Sequence, residues 1–501
     1  MANSDEARRV RIKEMLIANV RHGARIPTVD DRQSWPPNPP HPLHDTKSAA
    51  LPQKVDYAII GSGIAGCSVA WNLLTESELK HTIAVFEARG LASGATGRSG
   101  GQVAALMTAN EFADTIASRN ILAADALNRF AGESYNRLVE LVRNDPSATD
   151  YHFAPVKSVT NLVDPADVAS VNQYAENFAK ACAQWSYPGD LRTPDDSRSY
   201  YQFINSHGTT EQPGLVLLPY RLVTRLFERL LQKYPAQLSI DTHTPVQQVG
   251  YNSRLTSHKY TLMTSRGEVR ANHVIHCTNG WTSCLLPHLA ERIFPWRTTM
   301  AYHEFDYDPE TSPGRVGRPQ YIWQEVSRPR HDYIHNSVEM GKHSVTELGL
   351  TNQTLFKRVL VRSDNLDYQA LMDHDDTRTP PGAGHHVSRV LRRVFTPWRF
   401  AGVEQPPQIW SGVCGYTADA KPICGQLSKK WTSRTGKGEW ICAGCNGMGL
   451  ATTWTLGELL AHRLLGRKEE FIVLPWSYSS DDGRLEMMNV NSFFEEWLPR
   501  V

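Results

Sequence analysis

The chain has 501 residues, room for two or three domain-sized units, and 53 lysines and arginines against 52 acids leave a formal net charge of +1. That balance predicts no nucleic-acid partner, and no apolar run is long and clean enough to span a bilayer. Eight cysteines scattered over this length, with no apolar secretory leader, point to reduced thiols in an intracellular, cytoplasmic setting and not to a disulfide framework.

Residues 1–50 read as a surface helix followed by a proline-rich strap, Trp35-Pro36-Pro37-Asn38-Pro39-Pro40. Arg8, Arg9, Arg11 and Lys13 leave a mitochondrial address open, but Asp5, Glu6 and Glu14 oppose it because such peptides are acid-poor. The buried-strand run Tyr57-Ala58-Ile59-Ile60 then enters Gly61-Ser62-Gly63-Ile64-Ala65-Gly66. In a Gly-x-Gly-x-x-Gly turn the first glycine makes the tight bend, the second lets backbone approach a pyrophosphate, and the third lets the next helix pack against the sheet. That helix, from Ile64 to about Leu74, aims its amide-rich end at the phosphates. Ile83-Ala84-Val85-Phe86 reads as a second strand, and Glu87, followed by Ala88 and Arg89, stands where an acid holds a ribose hydroxyl. Strand, spacing and acid agree on a dinucleotide with a free 2′-hydroxyl, FAD or NAD.

Further along lie a small-residue loop, Ala92 to Gly101, and a helical stretch from about Asn110 to Val142 with apolar residues every three or four positions. Tyr151 to Tyr201 lacks clear periodicity. Pro219 to Leu231 reads as an amphipathic helix, and Tyr260-Thr261-Leu262 with Glu268-Val269-Arg270 as a hairpin. His273 to Cys277 forms a buried strand ending at Thr278-Asn279-Gly280-Trp281. Residues 293–400, richer in arginine, aspartate and histidine, form an antiparallel second domain, with Asp373 to His386 as an exposed loop. Trp440-Ile441-Cys442-Ala443 is a last strand leading into Gly444-Cys445-Asn446-Gly447-Met448-Gly449 and a helix. The spacing of Cys442 and Cys445 suits redox or zinc chemistry, but the strand-to-glycine-turn pattern speaks against a metal, and none is expected. No second Gly-x-Gly-x-x-Gly follows a strand, which favours one bound redox cofactor over an enzyme that also docks a nicotinamide.

Four segments taken together resemble the D-amino-acid oxidase superfamily of FAD-dependent oxidoreductases: Gly61 to Gly66 with Glu87; Ser93-Gly94-Ala95-Thr96-Gly97-Arg98-Ser99-Gly100-Gly101; Trp410 to Asp419 with Pro422; and Gly444 to Gly449. The likeness is to the branch of sarcosine oxidase, glycine oxidase and gamma-glutamylputrescine oxidase, and most to its fungal members. It implies an α/β fold with a Rossmann-type, glutathione-reductase-like FAD-binding domain (51–145, 205–290, 401–470). An interleaved antiparallel α+β substrate domain (146–204, 291–400) and a C-terminal extension (471–501) complete that division. The activity it implies is hydride transfer from the C–N bond of an amine or amino-acid-like substrate to FAD, an imine product and reoxidation by O2, in catabolism or in natural-product tailoring.

The resemblance also implies roles for single residues. Arg98 would offset the negative charge of the reduced ring. Val246 matches a position that holds adenine through its backbone, and Thr278-Asn279-Gly280-Trp281 the segment closing over the cofactor. Asn446, Gly447, Met448 and Gly449 would supply amides, and Cys414 a covalent thioether to FAD. Lys342 is a loose match to an oxygen-activating lysine, and Arg297, Arg328, Arg330 and Arg362 are candidates for a substrate carboxylate. A dehydrogenase with another acceptor, an aromatic hydroxylase and a flavin-binding scaffold are the alternatives. The C-terminal Leu498-Pro499-Arg500-Val501 is not a peroxisomal signal.

Overall fold

The computed structural model describes residues 2–27, 40–77, 80–107, 120–146, 148–151, 153–165, 191–201, 203–306, 321–327, 330–339, 343–350, 372–389, 408–447, 449–467 and 472–497, with isolated positions besides. Over 302–350 it describes the backbone alone. Lys342 and Met448 lie outside the described residues, as do Arg328 and Arg362.

Strand β1 (Lys54–Ile60) lies parallel between β2 (Ile83–Phe86) and β9 (Gly267–His276), with Ile60 opposite both Phe86 and His276. β2 pairs in parallel with β6 (Leu238–Asp241), and β9 with β16 (Glu439–Ala443), whose far edge carries antiparallel β15 (Ile423–Gln426). The run Tyr57-Ala58-Ile59-Ile60 is buried on both faces, the pattern of a parallel strand covered by helices. β7 (Val246–Tyr251) and β8 (Tyr260–Thr264) add an antiparallel meander to β9, confirming the hairpin read around Arg266-Gly267.

Helices α2 (Ile64–Thr75), α5 (Pro219–Lys233) and α6 (Leu450–Leu464) cover the sheet and share one core with β1 and β2. α2 and α6 meet at Gly457, where a Cβ would lie 2.6 Å from that of Ser68. Helix α4 (Ile121–Arg143), started by the Asn120 side-chain oxygen, which accepts from the Ala123 amide, adds Leu127, Phe130, Leu138 and Val142 to this core.

A second sheet of eight strands has the order β14 (Gln408–Thr417), β10 (Ile293–Asp306), β13 (His343–Leu350), β12 (Arg330–Glu339), β11 (Tyr321–Ser327), β4 (Ala154–Leu162), β5 (Gly208–Val216), β3 (Gln102–Ala104). It is antiparallel except where β11 meets β4. β3, β5 and β14 extend it with segments from ranges expected in the cofactor domain: β3 and β4 pair with β5, and β14 pairs with β10.

Two expectations change. Helix α1 (Ala2–His22) is not a free surface helix: Ile12, Leu16, Ile17 and Val20 are buried against Phe294, Trp296 and helix α7 (Val490–Trp497). Asp373 to His386 is not a wholly exposed loop either, since Asp376 and Ala383 are buried and Pro381–Val387 is helical. The buried carboxylate is held there by two arginines, described below. No helix of the described residues is long and apolar enough to cross a membrane.

Candidate functional site

Four chain segments converge at the carboxyl ends of β1, β2, β9 and β16, the end at which open α/β sheets bind ligands. Gly61 has φ +107°, and a Cβ there would sit 2.4 Å from the Cys277 carbonyl oxygen. A Cβ on Gly66 would be 2.0 Å from the Gly61 oxygen, so β1 and α2 close only over a bare backbone. Gly63, just before α2, faces the Thr96 hydroxyl, which accepts from the Ile64 amide at 3.0 Å and so couples the turn to the small-residue loop.

The turn and the acid form one unit. Glu87 accepts from the Ser62 amide at 3.0 Å and its hydroxyl at 2.8 Å through one oxygen, and from the Arg89 amide at 3.0 Å through the other. The Ser62 oxygen in turn accepts from the Ala92 amide at 2.9 Å. Ala88 lies between these contacts, and the Glu87 and Arg89 carbonyls accept from Thr244 and His243 on the chain leading to buried Val246.

In the small-residue loop, Ser93 is buried and its hydroxyl has no hydrogen-bond partner among the described residues. Ser99 accepts from the Gly101 amide at 3.0 Å, past Gly100, and Gly101 has φ +71°. Gly97 and Arg98 close the single turn α3 (Ala95–Arg98). Arg98 is buried; it donates to the Ser93 carbonyl at 3.0 Å, the Ser411 carbonyl at 3.0 Å and the Asp376 carbonyl at 3.3 Å. Its guanidinium lies 3.3 Å from the Asp376 carboxylate, which also takes a two-pronged contact from buried Arg89 at 2.6 and 3.3 Å. Arg89 stacks 5.1 Å above Trp281, whose indole N–H donates to the His374 carbonyl. Arg297 donates to the Asp375 carbonyl at 2.8 Å and to Asp373. One acidic segment thus holds three arginines from three elements. Sequence reasoning missed it, and the available signal was that buried arginines require partners.

Asn279, at φ +44°, accepts from the Gly444 and Cys445 amides at 3.1 and 3.2 Å, joining the end of β9 to the turn after β16. Thr278 bonds Thr282, and Gly280 packs where a Cβ would be 2.8 Å from the Cys414 carbonyl. Asn446 and Gly447 have φ +52° and +76°; the Asn446 side chain accepts from the Thr417 amide, and Gly447 abuts the Tyr416 hydroxyl. Gly449 precedes α6 as its cap. Cys414 shares a face of β14 with Gly412, which abuts Arg98, and with Tyr416, which abuts Gly447. Burial raises its thiol to about 11 despite a bond to Thr298.

Among the described residues no group of three or more histidine, cysteine or acidic side chains could hold a metal ion. The cradle fits a flavin dinucleotide. It offers bare glycines for a pyrophosphate, an acid fixed beside it, an unsatisfied Ser93 hydroxyl, and a cation with two glycine turns where a reduced ring would need compensation.

Fold and site together define a dinucleotide-binding oxidoreductase of the two-sheet kind. Residues 56–463 match the family model described as FAD dependent oxidoreductase, and the chain belongs to that family. It is, by that family, an FAD-dependent oxidoreductase. The fold is similar to glycine oxidase from Geobacillus kaustophilus (TM-score 0.62, 14% identity, covering 86% of this chain and 99% of that one). It is also similar to L-proline dehydrogenase from P. horikoshii (0.59, 17%, 84% and 96%). A third similar structure is an open form of a NikD variant, described as an unusual amino acid oxidase essential for nikkomycin biosynthesis (0.55, 15%, 87% and 97%). No curated protein matches the sequence at a significant level.

Proposed function

We propose that this protein oxidises the C–N bond of a small amine or amino-acid-like substrate and hands the electrons to O2, releasing an imine and hydrogen peroxide. When bound, FAD would supply the two-electron acceptor for the hydride leaving the carbon beside nitrogen. Gly61 to Gly66, Glu87 and Val246 would hold the dinucleotide end, and Ser93 to Gly101, Thr278 to Trp281 and Asn446 to Gly449 would hold the ring. The observation that carries this reading is the buried Arg98 cluster. Arg89 and Arg98 share the single Asp376 carboxylate, so this trio holds one more cation than anion, which suits a site that gains one negative charge on reduction. A free-amine substrate needs no protein base. Lys342 is retained as the candidate for oxygen activation.

Oxidase and dehydrogenase differ only in the acceptor, and the similar structures include both kinds. Air readmitted to reduced protein decides between them: reoxidation within seconds supports the oxidase, and reduced flavin persisting for minutes supports the dehydrogenase. A flavin spectrum unchanged across a broad amine and amino-acid panel would instead favour a scaffold. Likeness to an oxidase of natural-product assembly supports a tailoring role.

Covalent attachment through Cys414 is part of the same reading, supported by its place between the Arg98 and Gly447 contacts. A thiol raised to about 11 by burial needs the bound cofactor, the Arg98 charge, or both to favour its thiolate. Denaturation tests it: flavin stays with the polypeptide, and Cys414→Ala releases it. Free FAD from the unaltered protein would remove the covalent claim alone.

A further inference from the structure

One side chain of the C-terminal extension reaches back toward the turn after β16. Arg484, in the short helix Asp482–Met487, is buried, and a guanidinium has five N–H donors to place. All five are used. Nε donates to Asp419 Oδ2 at 3.0 Å and Nη2 to Asp419 Oδ1 at 3.1 Å; Nη2 also donates to the Lys421 carbonyl at 2.8 Å, and Nη1 to the Pro422 and Ser479 carbonyls at 2.8 and 2.6 Å. Four of these bonds go to residues 419–422, and one returns to the extension. Anchoring the extension alone needs no such fork, because the neighbouring Asp482 already does it: its carboxylate accepts from the Ser428 hydroxyl and the Trp431 indole, each at 2.8 Å.

The loop that Arg484 grips is strained. Ala420 has φ +54°, a left-handed conformation that a side chain disfavours and that persists only where its surroundings over-determine it. Next to it, the Lys421 amide donates to the Thr417 hydroxyl at 2.9 Å and to Asp419 Oδ1 at 3.2 Å, and the Thr417 hydroxyl donates to the Lys421 carbonyl at 2.8 Å. Thr417 closes the loop from inside while Arg484 closes it from outside. Thr417 also holds the second strained turn. Its amide donates to Asn446 Oδ1 at 2.9 Å, and its hydroxyl accepts from Asn446 Nδ2 at 3.2 Å. Asn446 and Gly447 are the left-handed pair there, and Gly447 is exposed. Two strained turns thus share one threonine, and the arginine that fixes the first constrains the second.

We infer that Arg484 is a positioning residue for the flavin: through Asp419, Lys421 and Thr417 it fixes the turn at Asn446 and Gly447, an assignment that rests on the ring-facing place given to that turn under the proposed function. Amides fixed in that turn favour the reduced ring over the oxidised one, because the reduced ring carries the added negative charge. Loosening the turn therefore weakens the hold on reduced flavin more than on oxidised flavin, and the midpoint potential falls.

Redox titration and FAD binding of the full chain test this. Arg484→Lys keeps the charge and loses the fork; Thr417→Val keeps a branched side chain and loses the shared hydroxyl, with no charge left unpaired. Both should weaken FAD binding, and a loss about tenfold larger for reduced than for oxidised flavin lowers the two-electron midpoint potential by about 30 mV. Asp482→Ala, which loosens the extension elsewhere, should lower the urea midpoint and leave the potential unchanged. Should Arg484→Lys fail to fold, Thr417→Val decides. A potential unchanged in Thr417→Val and in folded Arg484→Lys, or shifted as far in Asp482→Ala, overturns the assignment while FAD binding by the unaltered protein stands. An unaltered protein that takes up no FAD removes the proposed function itself, and the assignment with it.

Discussion

Gly66 leaves no room for a methyl group, since its Cβ would stand 2.0 Å from a backbone oxygen that cannot move without opening the turn. Gly66→Ala is therefore expected to cost about 1–3 kcal/mol of stability, as overpacking does, and to abolish flavin retention; the visible spectrum and a urea titration read the two effects. Asp376 makes the opposite kind of prediction. Asp376→Asn leaves two buried arginines facing a neutral amide, a loss of about 3–5 kcal/mol by analogy with broken buried ion pairs. In the FAD-loaded protein it also raises the local charge by one unit, so the midpoint potential of the flavin should rise; an unchanged potential would show that the arginine cluster does not reach the ring electrostatically. At this scale the glycine turn and Glu87 were legible because their spacing is local. Asp376 was not, because its contact with Arg98 spans 278 residues of sequence and the surrounding Asp-His-Asp-Asp run has the composition of a loop.

Among the elements, β16 carries the clearest dependence on pH. Burial pushes the Glu439 carboxyl up, but a two-pronged contact from Arg434, at 2.6 Å on each oxygen, and a bond to His276 at 3.1 Å outweigh it and hold the group below its ordinary 4.5. A carboxyl lowered in the folded state adds stability that is fully present above about pH 4.5 and is lost as pH falls through the lower folded value. The urea midpoint should decline in that window, and Glu439→Gln should remove that part of the decline. Helix α1 supplies the other test. Leu16 is fully buried against the Phe294, Trp296 and α7 cluster, so Leu16→Ala should cost about 2–5 kcal/mol, where a surface helix would lose almost nothing. The amphipathic helix beginning at Pro219 was readable because its period is self-contained. The burial of α1 was not, because its partners lie at the far end of the chain.

Across the whole molecule, two sheets divide the work. The parallel one was visible from its apolar runs, whereas the second draws strands from segments as distant as Gln102–Ala104 and Gln408–Thr417, a pairing no local pattern encodes. The loop Ala92 to Gly101 leads from β2 to β3 and Thr278 to Trp281 from β9 toward β10, so the flavin cradle exists only when the two sheets are assembled. One FAD held at the strand ends is what this assembly requires. Titration of the full chain with FAD, followed by gel filtration and absorbance, measures this directly. One flavin retained per chain, and lost in Gly66→Ala, is the predicted result; a colourless protein that takes up no FAD would contradict it.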